Sequence, residues 1–265
     1  ASCHRPESSF SDQRTTALGI YGREGRRSTP SLSNVAFAKE LFWDGRASSL
    51  EEQALQPLTN PREMGEALEG ALTYLRREPS YQQQFENAFG PGEISARRLG
   101  KALAAYQRSL LSGNSAYDRY KFLGEKQALS DAARRGYALF KGKARCAFCH
   151  EEPLFTDGRS HNTGVGWNRS PIDLGRYEWT RREEDKGRFK TPSLRDVVLT
   201  APYMHNGSLG SLEEVVEFYD RGGEPNPHRD SALRPLDLTQ VEKSDLVAFL
   251  KSLTGNPAVG EGRSQ

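Results

Sequence analysis

The run Cys146-Ala147-Phe148-Cys149-His150 constrains this chain more than any other feature. Two thiols three positions apart on one helical turn can add to the two vinyl groups of a single haem. The adjacent histidine then faces the iron as its proximal ligand. A chain with this motif has to fold around a flat cofactor tied covalently to its backbone. The same spacing also serves redox dithiols and half of a zinc site. A zinc site needs two further Cys or His ligands nearby, and His161 is the one candidate. The remaining cysteine is Cys3, and a total of three argues against a disulfide framework. Cys3 is followed by His4, as Cys149 is by His150.

An internal repeat links the two Cys-His pairs. Thr29–Gln53 lies over Thr191–Val215 at a constant offset, 191 − 29 = 162, with 10 of 25 positions identical and no gap. The shared residues include Thr-Pro-Ser-Leu, a glycine and Ser-Leu-Glu-Glu. His4 leads to Phe10-Ser11-Asp12, and His150 leads to Phe155-Thr156-Asp157. Each copy therefore opens with Cys-His, which makes Cys3-His4 the remnant of a second haem motif. We expect its upstream cysteine, and a signal peptide, in the full gene product.

Helical patterns dominate elsewhere. Ser48 or Ser49 can cap a helix entering Leu50–Gln53, and Ile94–Leu111 carries apolar residues at helical spacing. Ser130 can cap a helix that delivers the chain to Cys146. Thr239 and Glu242 form a capping box before Val241–Leu253, with Gly255 as the expected C′ residue. Ser112–Ala128 is polar and reads as an inter-domain linker, and Val165–Gly187 as a charged surface loop inserted in the second copy. The expected fold is mainly α, with two cytochrome c-like haem-binding lobes related by internal duplication, at 1–120 and 121–265.

Charge and hydropathy exclude other classes. With 37 basic and 35 acidic residues the net charge is +2, which leaves no nucleic-acid footprint. No apolar run approaches the roughly 20 residues that span a bilayer. Covalent c-type haem is assembled outside the cytoplasm, so a periplasmic location is expected.

Together these segments resemble the bacterial di-haem cytochrome c peroxidases and the related MauG-type enzymes. The resemblance rests on Ala1–Pro6, Leu41–Gln53 (LFWDGRASSLEEQ), Asn60–Gly65 (NPREMG), Cys146–His150, Phe189–Ser208 and Asp245–Gly255, and it runs nearly end to end. It implies two covalent haems, a peroxide-binding one on Cys3 and His4 and an electron-transfer one on Cys146, Cys149 and His150. Glu63 and Gln53 match the distal pocket of the first haem, where a carboxylate can move a proton between the two peroxide oxygens. Trp43 matches the tryptophan between the haems. Tyr219 falls at the sixth-ligand position of the second iron, where the peroxidases generally use Met and MauG-type enzymes use Tyr. A phenolate favours oxidised iron, so a His/Tyr haem is the harder to reduce. Thr200 and Pro202 match carbonyl ligands of a calcium ion.

Histidine supply bears on the first haem. The loop at about Gln13–Pro30, which in many family peroxidases carries a capping histidine, contains none, so this haem is expected to be open. His161 and His205 read as structural or supporting residues, and His228 as solvated. The leading expectation is hydrogen peroxide reduction with electrons from a small cytochrome c or cupredoxin. The alternatives are a MauG-like oxidase that modifies a partner protein and a pure electron-transfer cytochrome.

Overall fold

The structure is a computed structural model that describes residues 3–65 and 67–258. The first half contains α1 (Leu50–Gln53), α2 (Gln56–Thr59), α3 (Leu68–Arg77), α4 (Pro79–Phe89), α5 (Ala96–Ser109) and the strand β1 (Leu111–Gly113). There follow α6 (Ala116–Phe122), α7 (Asp131–Lys141), β2 (Ser160–His161), α8 (Tyr177–Thr180) and β3 (Phe189–Lys190). The chain ends with α9 (Leu212–Asp220), α10 (Gln240–Lys251) and β4 (Asn256–Ala258). Hydroxyl caps start most of the longer helices. Ser49, Ser95, Ser115, Ser130, Ser211 and Thr239 each accept a hydrogen bond from the amide three residues on. Between helices the backbone is irregular, as expected of a fold whose interior is to be filled by a cofactor as well as by side chains.

The largest core lies in the second half. Phe249 of α10 stands 5.0 to 6.0 Å, centroid to centroid, from Tyr117, Tyr137, Phe140 and Phe155. Leu129, Val216, Leu246 and Leu253 close the cluster. Helix α7 crosses α10 at Gly136, where an added Cβ would lie 1.9 Å from the Asp245 carbonyl oxygen. Two smaller cores serve the first half: Leu58, Leu72, Phe85, Ile94 and Leu99 in one, and Leu41, Ala47, Leu50 and Ala104 in the other.

Segments matched at the offset of 162 share a backbone path. Asn34 and Asp196 both take φ of 59°, and each opens a short 3-10 turn, at Val35–Phe37 and Val197–Leu199. Phe42 and Met204 both have positive φ, as do Gly45 and Gly207. The bridge Leu41–Ala47 is matched by Tyr203–Leu209. The Asn34 amide donates to the Leu110 carbonyl beyond α5, and the Asp196 amide to the Leu253 carbonyl beyond α10. The strands that follow these two helices, β1 and β4, pair antiparallel, with Gly113 opposite Asn256.

Three sequence-based expectations need correction. The stretch expected as a linker holds α6, started by a capping box of Ser115 and Asp118, and its Tyr117 is wholly buried in the second core. Arg195 fastens it there, donating at 2.7 Å to Asp118 and at 2.7 and 2.9 Å to the Pro153 carbonyl. Secondly, the charged insertion is tied down. Arg27 grips Asp173 with two hydrogen bonds of 2.8 Å and reaches Asp44 at 2.7 Å, while Arg176 grips Glu40 at 2.7 and 3.0 Å. Arg26 makes a third forked pair with Glu178. The Arg27 and Arg176 pairs are shielded enough to hold geometry as well as charge, whereas Arg26–Glu178 is more exposed. Lastly, α10 closes at Ser252. Gly255 serves close approach instead, since a Cβ there would meet the Gly113 carbonyl oxygen at 2.5 Å.

The α7–α10 crossing gives a direct test. Gly136→Ala should destabilise the protein by about 1–3 kcal/mol through overpacking against the Asp245 carbonyl, read as a lower urea midpoint at unchanged slope.

Candidate haem sites

Helix α7 ends at Lys141 and Gly142, and a left-handed Arg145 (φ 57°) turns the chain into a 3-10 turn at Cys146–Phe148. The turn leaves Cys146 and Cys149 unpaired and half-buried, with His150 beside them. The His150 Nδ1 lies 2.8 Å from the Phe155 carbonyl oxygen. That contact is made by a buried non-glycine residue at φ 56°, so the backbone is bent to deliver an acceptor. With a proton held on Nδ1, Nε2 is the nitrogen left for a metal. Burial lowers the His150 pKa, which keeps the ring neutral and able to ligate.

The same arrangement recurs at the other Cys-His pair. His4 Nδ1 lies 2.7 Å from the carbonyl oxygen of Phe10, itself buried at φ 61°. Burial lowers the His4 pKa, opposed by that carbonyl and by the charges of Asp12 and Glu63. Glu63 is therefore within electrostatic reach of His4. Its carboxylate accepts from Asn60 Nδ2 at 2.7 Å. Gln53 closes α1, half-buried. The Cys3 sulfur lies 3.6 Å from the Leu18 carbonyl oxygen.

A cavity of about 350 Å³ opens beside the second motif. Its wall includes Cys146, Cys149, His150 and Tyr219, together with Trp43 from the first half. Leu194, Val197, Leu212, Val216, Leu246 and Leu250 make much of the rest apolar. Free thiols, a neutral imidazole with one committed nitrogen and an apolar lining suit a covalently bound haem. Tyr219 sits near the end of α9, and burial pushes its phenol pKa up, with the Cys149 and Cys146 sulfurs adding to the effect. Burial also pushes the Cys146 thiol up to about 12. Cys3, His4, Gln53 and Glu63 do not line this cavity.

Thr200 and Pro202 line the same cavity on either side of the cis Ala201–Pro202 peptide. Neither carbonyl oxygen accepts a hydrogen bond among the described residues.

Trp43 is held at both ends of its residue. Its indole Nε1 donates to the Ser28 carbonyl at 2.9 Å, and its own carbonyl accepts from the Lys190 amide at 2.8 Å. His205 meets it edge-on at 6.5 Å, and Phe189 stacks on His205 at 3.6 Å. The Arg27 guanidinium covers Phe189 at 5.3 Å. Burial first, then the Arg27, Arg169 and Arg26 charges, hold the His205 pKa down at about 4, against the pull of Asp173. The sequence marked His205 as supporting but showed nothing of this column. Its members come from segments far apart in the chain.

His161 is more constrained than a supporting role suggests. Its Nε2 lies 2.8 Å from Asp157 and its Nδ1 2.6 Å from Asp230. Ligand atoms of Cys149, Asp157 and His161 fall within 4.8 Å of one another. Asp230 could not be linked to this group by spacing, being 230 − 161 = 69 residues on. His228, expected to be solvated, is half-buried against Trp167 with ring centroids 5.6 Å apart.

A family described as "Di-haem cytochrome c peroxidase" matches residues 1–127. The methylamine utilization protein MauG of Methylorubrum extorquens is 43% identical over 261 residues, covering 97% of this chain and 73% of that protein. Cytochrome-c peroxidase IdrP1 of Denitromonas iodatirespirans is 37% identical over 287 residues, covering 96% and 75%. Among solved structures, a MauG-like protein associated with microbial copper homeostasis superposes with a TM-score of 0.87. It is 34% identical, and the match covers 96% of this chain and 83% of that one.

The doubly held imidazole of His161 gives a pH signature. Its pKa is raised from 6.5 to about 10 by the Cys149 sulfur first and by the Asp230 and Asp157 carboxylates, against burial. A raised folded pKa contributes stability that is complete below 6.5 and is lost progressively as pH rises toward the folded value. Once Cys149 is a thioether only the carboxylates remain, which brings the upper limit below 10. We expect the urea midpoint of the haem-loaded protein to fall across this window and His161→Gln to flatten the slope.

Proposed function

The chain belongs to the di-haem cytochrome c peroxidase family, a group of haem-dependent oxidoreductases, and from this premise we propose that it is a periplasmic enzyme reducing hydrogen peroxide to water with electrons from a small redox protein. Two c-type haems serve it, one on Cys3 and His4 and one on Cys146, Cys149 and His150. Tyr219 would supply a phenol oxygen to the second iron. A calcium ion would be held at the Thr200 and Pro202 carbonyls. Two haem-binding lobes descend from one duplicated unit, a reading supported by the backbone shared at the offset of 162; their boundary falls before α6 rather than at 120/121, because Tyr117 belongs to the second core. No helix among the described residues is long and apolar enough to cross a membrane.

The observation that carries this reading is the single cavity that takes in both thiols, His150, Tyr219 and Trp43. The haems supply the iron that breaks the peroxide bond and the store of electrons it consumes. The chain's own residues do the rest. His4, its Nδ1 committed to the Phe10 carbonyl, offers Nε2 to the first iron. Glu63 takes the proton from one peroxide oxygen and returns it to the other, so that two electrons and two protons yield two waters. Gln53 orients the peroxide by hydrogen bond. Trp43, an oxidisable ring in the wall of the second cavity, would pass electrons from the second haem toward the first.

Tyr219 favours a second reading, a MauG-like oxidase that directs peroxide oxidation onto residues of a partner protein. A phenol ligand makes the second haem a poorer electron acceptor than a thioether ligand does. Kinetics separate the two.

For the exported holoprotein we expect two haems per polypeptide by pyridine haemochrome and steady peroxide consumption with a reduced cytochrome c or cupredoxin. Glu63→Gln should lower that turnover by about 10²-fold or more with haem content unchanged. Spectral oxidation by peroxide without donor turnover would select the MauG-like reading, the absence of any reaction with peroxide would leave an electron carrier, and an unaffected Glu63→Gln variant would remove Glu63 from the proton transfer.

A further inference from the structure

Two large apolar side chains that line the haem cavity are also exposed to water. Phe148, between the two thiols, is 56% exposed, and Phe37 of the first half is 58% exposed. Both belong to the cavity wall, together with Val35 and Ala38. Paired exposed aromatics, one from each half of the chain, make an apolar centre of the kind that marks contact surfaces.

Beside Phe148 lies a shallow depression lined by Gly142, Lys143, Arg145, Phe148, Arg234, Pro235 and Leu236. None of these seven residues is acidic. Lys143 is neutralised by Glu242 at 2.7 Å. Arg145 and Arg234 form no ion pair among the described residues, and the Arg145 guanidinium stands 4.8 Å over the Phe148 ring. Lys39, exposed and also without an ion pair there, follows the cavity-lining Ala38. Uncompensated positive charge thus flanks an apolar centre, in a protein whose overall charge is close to neutral.

We propose that this rim is the docking surface for a small electron-carrier protein whose own contact face is acidic around an apolar centre. This deepens the proposed function and rests on it. With haem bound through Cys146 and Cys149, the thioether edge lies next to Phe148, so a partner seated here brings its redox centre close to that edge. Arg145 and Arg234 steer the acidic face inward, and Phe37 and Phe148 are desolvated against its apolar centre. Steering of this kind raises association rates by 10 to 10³-fold and fades as salt screens it.

The test uses the haem-loaded protein and two monohaem cytochromes c, one of net negative and one of net positive charge. Peroxide-driven oxidation of each is followed against ionic strength. The acidic cytochrome should give the higher kcat/KM, and that value should fall as salt rises. Arg234→Glu, outside the haem motif, should lower kcat/KM for the acidic donor by about tenfold at low salt, mainly through KM, and flatten its salt dependence. Phe37→Ser should raise KM for that donor at high salt as well. Because Arg234 and Phe37 also line the haem cavity, haem content and the visible spectrum are read with each variant, and Lys39→Glu, outside that wall, should lower kcat/KM for the acidic donor with both unchanged. Turnover of both cytochromes at rates indifferent to donor charge, salt and these substitutions would overturn the docking surface alone. Failure to oxidise either cytochrome would overturn the proposed function and the surface with it.

Discussion

Besides the β1–β4 pairing, one reciprocal pair of main-chain hydrogen bonds joins matched segments of the two halves, and the placement of Trp43 and His205 depends on it. The Ser28 amide donates to the His205 carbonyl at 2.7 Å, and the Lys190 amide donates to the Trp43 carbonyl at 2.8 Å. These are matched positions, since 28 + 162 = 190 and 43 + 162 = 205. The contact is the intramolecular counterpart of an isologous interface, in which each partner gives what the other gives. It sets Trp43 and His205 edge to face at the join, so the residue proposed to carry electrons is located by backbone atoms rather than by its own packing. The Arg27–Asp173 and Arg176–Glu40 pairs brace the join from its rim. Loss of either should reach the Trp43 environment before it reaches either core.

A second constraint operates at each Cys-His pair. The fold places a buried phenylalanine at positive φ twice, at Phe10 and Phe155, a conformation with a strain cost for non-glycine residues. In both places the return is a carbonyl aimed at a histidine Nδ1. Burial then holds both histidines neutral. These features turn a histidine that follows a cysteine into a ligand of defined orientation. Their repetition at Cys3-His4 argues that the first site is built for the same task as the second.

The parts legible in the sequence were those written in local or periodic code. The C-x-x-C-H run, the hydroxyl caps at Ser49, Ser130 and Thr239, and the helix near Ile94–Leu111 depend on neighbours within about four residues. The repeat located segments that share a backbone path, and the structure adds matched bridges at Leu41–Ala47 and Tyr203–Leu209 although those residues differ. The misread parts depend on partners far along the chain. Ser112–Ala128 looks polar because its surface residues outnumber Tyr117, whose burial is decided by Arg195 and Phe155. The insertion is rich in charge, but Asp173 and Arg176 find their counter-ions more than 130 residues away. Gly255 carries a helix-ending signal, but its close approach to Gly113 is invisible until β1 and β4 pair.

The asymmetry between the two proposed haems follows from one helix. In the second half, α9 runs unbroken from Leu212 to Asp220 and carries Tyr219 into the cavity wall. Continued without a gap, the offset sets Tyr219 against Pro57 (219 − 162 = 57). Proline lacks the amide that a continuous helix needs at this point. The first half accordingly breaks into α1, which stops at Gln53, and α2, which takes Pro57 into its first turn. A pyrrolidine ring has no lone pair to give a metal. On the proposed reading, the position that supplies a phenol to the second iron supplies nothing to the first, which is left open to peroxide. Gln53 then stands where the second half has Val215, so the unit that lacks the ligand has the polar group an open iron can use. On that reading, a single interruption of the helix would separate an electron-carrying site from a peroxide site.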